Sequence, residues 1–363
     1  MGKDKVWQGI KGVEGSEQMR YKRHFSILLI LCIILIAVCL IAIMVGSISI
    51  PPVIIIKIWL SKMLCGLIPQ DWSGIQETIV VDIRTPRVIL SMLIGMGLAI
   101  AGAGMQGLFR NPMAEPYVLG MSSGAAVGAA VAIVLGIGKV FGGLCIPAMA
   151  FIGATITILL VYNIAKTDGK VPIETLLLCG IAVGFFLNSI VSFLKVISSD
   201  QALREVVLWL MGSFSMACWS DVKMVILPIL CGIVTLYFLA RELNALQFGE
   251  ETALHLGIEV EAVKRILLVA ASLVTAVAVS VSGIIGFVGL VVPHLVRIIV
   301  GPGHHLLLPA SALSGAIFLV LCDTLARTIA QPQEIPIGII TAGIGAPYFV
   351  YLLRRRKKAI SWW

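Results

Sequence analysis

Ten apolar stretches follow one another along this chain, and they leave little of it for a water-soluble core. They cover residues 25–46, 88–109, 117–137, 144–165, 173–198, 220–240, 264–282, 284–300, 306–325 and 337–353. A helix needs about 20 apolar residues to cross the hydrocarbon of a bilayer. Lipid offers no partner to an unpaired backbone N–H or C=O, so helices are the expected spanning form. The eighth stretch is short and bounded by Gly and Pro, and it is the weakest of the ten. A mean hydropathy of +1.04 and a charged fraction of 13% fit this picture. The expected fold is an all-α integral membrane protein of about ten transmembrane helices.

The first stretch follows a charged segment, Lys3 to Arg23, in the manner of a signal peptide. Its apolar run exceeds the usual signal length and no small-x-small cleavage site follows, so it reads as an uncleaved anchor. The expected organisation is a cytoplasmic tail at 1–24, one transmembrane domain at 25–353 and a basic cytoplasmic tail at 354–363. Sidedness comes from Lys and Arg. With the N-terminus inside and ten crossings, about two-thirds of the 27 basic residues fall on the inner side, which puts both termini in the cytoplasm. The net charge of +8 therefore calls for no nucleic acid. The tail Arg354–Lys358 suits an anionic inner leaflet.

Several chemistries are missing. No G-x-x-x-x-G-K-[ST] loop is present, so the chain has no P-loop site for ATP. No His/Cys cluster has zinc spacing, no Ser/His/Asp set stands out, and His304-His305 reads as a loop pair. The eight cysteines form no C-x-x-C. Most lie in spans as packing residues, and Cys65 with Cys218 is the one pair expected on the outer side. Proton- and sodium-driven transporters usually carry carboxylates inside the membrane. Here Asp323 and Glu174 alone come near a span, both at ends, so the driving energy is expected from elsewhere. Small residues such as those in Gly95–Gly107 allow close helix approach.

Several motifs, in order, resemble one family. They are Arg84-Thr85-Pro86-Arg87, then Gly107-Leu108-Phe109-Arg110-Asn111-Pro112-Met113-Ala114-Glu115-Pro116, then Leu119 to Gly124. Further on come Trp209 to Ser213, Gly283 to His294, Asp323 to Arg327, Ile335 to Gly338 and Gly345-Ala346-Pro347. Each piece is weak alone; the ordered set is similar to the FecCD-type permeases of ABC importers for iron-siderophore, haem and cobalamin. That resemblance implies a dimer with a second permease copy or a close paralogue. It also implies two cytoplasmic ATPases, which bind the ATP and Mg²⁺, and an extracytoplasmic substrate-binding protein. This chain would itself hold no cofactor and no metal, do no enzymatic chemistry and sit in a prokaryotic inner membrane. A ferric siderophore leads as cargo, with haem and cobalamin behind it. A stand-alone secondary transporter is the alternative from another class, and a co-purifying ATPase discriminates the two.

The resemblance also implies site residues. Arg84, Arg87 and Arg327, at outer helix ends, would pair with carboxylates of the binding protein, a task suited to guanidinium forks. The same side chains would serve equally as interfacial anchors. The inner loop 243–257 would engage the ATPase through Leu246, Gly249, Glu250, Glu251, Ala253 and Gly257. Glu250 and Glu251 suit the first turn of a short helix and Gly257 suits its end. Thr252 departs from the small residue of the family pattern. Asn111 and Met113, with Ile173 and Glu174 less closely matched, would form a cytoplasmic gate. Lys195 would face the pathway toward an anionic cargo, although snorkelling to the headgroups is the plainer use.

Overall fold

Each apolar stretch becomes a helix, and the close approach of small residues sets how the helices stack. The computed structural model describes residues 3–46, 48–64, 69–137, 143–167 and 170–356. In chain order the helices are α1 (Lys3–Met44), α2 (Pro52–Met63), α3 (Gly74–Thr78), α4 (Thr85–Leu108), α5 (Met121–Val134), α6 (Cys145–Ala165), α7 (Ile173–Ile197) and α8 (Asp200–Leu210). They continue as α9 (Trp219–Phe238), α10 (Ala240–Leu246), α11 (Glu250–His255), α12 (Val260–Ser282), α13 (Val288–Val300), α14 (His304–Ala326) and α15 (Ile337–Arg356). A π-helical segment, Ile79–Arg84, joins α3 to α4. Among the described residues, seven helices are long and apolar enough to span, and three shorter apolar ones accompany them. These ten fall on the ten stretches. The shortest, α13, is the stretch bounded by Gly and Pro.

Helix α4 is the most enclosed span, with α9, α12, α13 and α14 packed around it. Its contact with α14 is backbone on backbone. A methyl group at Gly95 would run into the carbonyl of Gly315, and one at Gly315 into that of Gly95, so only glycine permits this crossing. Helices α5 and α6 meet in the same way, through Gly124 and Gly153. Leu, Ile, Val and Ala side chains fill the remaining space in contiguous buried clusters.

Of the helices outside the ten stretches, α2 and α8 are the longest. Helix α2 carries Lys57 and Lys62, and α8 carries Asp200, Arg204 and Glu205; both are too short to span. Ser199 caps α8 by accepting the N–H of Ala202. Helix α1 begins at Lys3, so the segment expected as a separate tail continues into the first span. Residues 357–363 of the basic tail lie outside the described residues, as does Cys65. Cys218 is an exposed free thiol whose Sγ sits 3.3 Å from Asp221.

The helix directions give the bundle two distinct ends. One holds the short helices α10 and α11, the α4–α5 turn and the start of α14. The other holds Arg84, Arg87 and Arg327.

Candidate functional site

At the arginine end, Pro86 starts α4 in its first turn, where a missing N–H costs nothing. That start sets Arg84 and Arg87 one turn apart. Helix α14 delivers Asp323 and Arg327 to the same place. The three arginines thus come together, and they are buried, at 5%, 8% and 7% exposure respectively. Each is engaged within the chain. Arg84 donates to the carbonyls of Ile43 (2.7 Å), Met44 (3.1 Å) and Ile48, at and beyond the end of α1. Arg87 forks onto buried Asp323 through Nε and Nη2 (2.9–3.0 Å), while its Nη1 donates to both carboxylate oxygens of Glu334 (2.9 and 3.0 Å). Arg327 donates to the Ala42 carbonyl and lies 3.7 Å from Asp323. The guanidiniums therefore tie α1, α4, α14 and the 327–336 loop together. The Glu334 carboxylate is their most accessible partner, with its side chain 41% exposed.

At the opposite end the loop expected at 243–257 is a helical hairpin, α10 and α11. Glu250 and Glu251 occupy the first turn of α11, and Gly257 follows it with a φ of 80°, where glycine carries no Cβ penalty. Gly249 precedes α11 with a φ of 112°. Leu246 and Ala253 are buried and fasten the hairpin to the core. Glu250 is held by Lys264 (2.8 Å), a buried ammonium that also pairs with Glu261 (3.0 Å). Phe248, Leu254 and Leu256 instead face outward, at 76%, 59% and 65% exposure. A hairpin outside the spans thus displays an apolar surface.

His304 corrects the loop-pair reading. It is the first residue of α14 and is fully buried. Asn244 Oδ1, from α10, accepts the His304 backbone N–H at 2.8 Å and lies 3.0 Å from the ring Nδ1. Gln247 Nε2 lies 3.2 Å from that nitrogen and donates to the Pro302 carbonyl. No local pattern announces this cluster, because its members are 57 and 60 residues apart.

The α4–α5 turn is an Asx-type turn, in which Asn111 Oδ1 accepts the N–H of Met113 at 3.0 Å. Asn111 is exposed. Met113 lines a narrow apolar cleft with Pro112, Leu290, Val291, His294, Phe349 and Leu352. Ile173 is half-buried against the core, and Glu174 is exposed at the start of α7. Among the described residues no hydrogen bond or ion pair links Glu174 to Asn111 or Met113. Glu115 follows the same turn. Its carboxylate accepts the N–H of Phe287 at 3.2 Å, and Phe287 is a non-glycine residue at φ 70° that opens α13. Burial pushes the Glu115 carboxyl up to about 7. Lys195 is half-buried in the last turn of α7, with no ion pair among the described residues.

The described residues include no cluster of His, Cys, Asp or Glu able to hold a metal. The arrangement is a clamped end and, opposite it, an apolar hairpin beside the α4–α5 turn.

The FecCD transport family matches residues 33–355. The "Cobalamin import system permease protein BtuC" of Halobacterium salinarum is 50% identical over 287 residues, which are 78% of this chain and 76% of that protein. The "Hemin transport system permease protein HmuU" of Yersinia pestis is 42% identical over 282 residues, 77% and 84% of the two chains. A solved structure of an ABC transporter assigned to the metal-chelate type, in an inward-facing conformation, superposes with a TM-score of 0.79 at 31% identity. That match covers 91% of this chain and 99% of the other.

Proposed function

The chain belongs to the FecCD transport family, and from that premise we propose that it carries a metal-bearing macrocycle inward, with cobalamin the leading cargo. It is a multi-pass permease subunit of an ABC importer, a transport component and not an enzyme. The 50% identity to a permease named for cobalamin import carries the cargo reading. That relative moves the emphasis away from the ferric siderophore favoured by sequence alone. Haem is the second reading, supported by the 42% relative named for hemin.

The remaining assignments belong to the same proposal. The hairpin end faces the cytoplasm, in keeping with the Lys and Arg bias. There Phe248, Leu254 and Leu256, on and beside the short helix α11, seat on an ATPase that binds ATP and Mg²⁺. ATPase closure reaches this chain as rigid-body motion of the hairpin. Leu246, Gly249, Glu250, Glu251, Ala253 and Gly257 shape that hairpin. Asn111 and Met113, joined by the less closely matched Ile173 and Glu174, form the cytoplasmic gate, and Lys195 faces the pathway. A second copy of the chain completes the pathway. At the outer end a binding protein docks through Arg84, Arg87 and Arg327. Because these arginines are occupied, docking is an exchange: a carboxylate of the binding protein takes Arg87 from half-exposed Glu334.

Proteoliposomes containing the permease, its ATPase and the binding protein provide the test. ATP-dependent uptake of labelled cyanocobalamin is the expected result. Uptake of haemin alone selects the second reading, and uptake of a ferric siderophore alone restores the first expectation. Uptake that needs no ATP overturns the importer assignment in favour of a secondary transporter.

A further inference from the structure

The α10–α11 hairpin and the Asn111–Met113 turn are separate in sequence, yet a short run of packed, hydrogen-bonded groups joins them. The run begins on α10. Asn244 Oδ1 accepts the His304 backbone N–H, one of the donors that a helix start leaves unpaired. The same oxygen lies 3.0 Å from Nδ1, and Gln247 Nε2 lies 3.2 Å from that nitrogen, so both amides hold this edge of the ring. Gln247 follows α10 and holds the Pro302 carbonyl at 3.1 Å, just before α14. Two amides therefore fix the N-terminus of α14 to the hairpin.

The opposite edge of the imidazole rests on α4. A methyl group at Gly107 would sit 2.5 Å from His304 Nε2 and 3.2 Å from Leu243 of α10. The ring is thus packed directly on the α4 backbone, and among the described residues Nε2 has no hydrogen-bond partner. From Gly107 the backbone leads straight into the turn. Arg110 N–H donates to the Gly107 carbonyl at 3.3 Å, and Asn111 N–H to that of Gln106 at 3.2 Å. His304 is fully buried among these groups. Close-packed groups transmit displacement instead of absorbing it.

We infer that His304 is a positioning residue that transmits movement of the α10–α11 hairpin to the Asn111–Met113 turn through Asn244 on one side and Gly107 on the other. The inference rests on the permease reading, which makes the hairpin the moving part and the turn the gate. His304 is buried between α10 and α4 and acts through them. Its loss therefore separates two quantities that a general loss of folding would lower together, cargo moved and ATP hydrolysed.

The experiment reconstitutes wild type, His304→Ala, Asn244→Ala and the double variant with the ATPase and binding protein. It measures cobalamin uptake and ATP hydrolysis on the same vesicles. The expected result is that either single variant lowers cargo moved per ATP about tenfold while ATP hydrolysis stays within about twofold of wild type. The double variant is expected to be no worse than the singles, because both residues belong to one link. An unchanged ratio in both singles overturns the inference, as does a proportional fall in uptake and hydrolysis. If His304→Ala does not assemble, Asn244→Ala and Gln247→Ala leave the buried ring in place and face the same criterion. A wild-type chain that neither binds an ATPase nor shows ATP-dependent uptake overturns the permease reading instead.

Discussion

Two carboxylates share Arg87, and their burial assigns them different work. Asp323 is enclosed between Arg87 and Arg327, so Asp323→Asn leaves buried guanidinium charge without its counter-ion. Removing one partner of a buried pair costs about 3–5 kcal/mol, and a clear loss of thermal stability in detergent is expected. Glu334 is half-exposed, so Glu334→Gln is expected to change stability by less than about 1 kcal/mol. The same substitution removes the negative charge that competes for Arg87 and should tighten binding-protein affinity, measured on permease in nanodiscs. Unchanged affinity sinks the exchange at Arg87. Reversing the three arginines themselves is a poorer test, because their burial makes misfolding the expected outcome. Glu115 offers a pH prediction. Its folded pKa, raised to about 7, lies above the unfolded value, so the folded state binds the extra proton. Stability from this group is present below the unfolded pKa near 4.5 and is lost as pH rises toward 7. Glu115→Gln keeps an oxygen to accept the Phe287 N–H and cannot ionise. Its melting temperature should match wild type near pH 4.5 and exceed it at pH 8; a constant offset across that range contradicts this account.

At the scale of elements, length and apolarity made the seven spanning helices and the three shorter apolar ones legible, because a long apolar run is written in local composition. Helices α2 and α8 were not legible in the same way. Their charged residues sit among apolar ones over 12 and 11 residues, a pattern that a search for long apolar runs passes over. Helix α11 was legible through Glu250, Glu251 and Gly257, which mark its two ends. What the sequence did not reveal is which of its side chains face away from the core. Phe248, Leu254 and Leu256 do so, while Leu246 and Ala253 hold the hairpin in place. The double variant Leu254→Asp, Leu256→Asp touches only the exposed face. It is expected to lower co-purification of the ATPase at least about tenfold with the permease melting temperature unchanged. Full retention of the ATPase moves the docking surface off α11.

Across the whole molecule the sequence was least legible where remote residues meet. Arg87 lies 236 positions from Asp323, and His304 lies 60 from Asn244. No periodicity encodes such pairs, so the arginines read as free docking groups and the histidine as a loop residue until the helices were packed. Sidedness rests on a different global property, the distribution of 27 basic residues, and is open to direct measurement. Cys218 lies exposed before α9, at the arginine end, and Glu251 lies exposed on α11 at the other. In intact cells freed of the outer envelope, a membrane-impermeant maleimide should label the Cys65→Ser variant and lose that signal when Cys218→Ser is added. In that double-serine background, a cysteine placed at Glu251 should label only after permeabilisation. The reverse pattern would invert the molecule in the bilayer and place the apolar hairpin outside, beyond the reach of any cytoplasmic ATPase. The expected pattern sets the hairpin, His304 and the gate turn on the side where ATP is available. The same pattern leaves the arginine clamp facing the compartment from which cargo arrives.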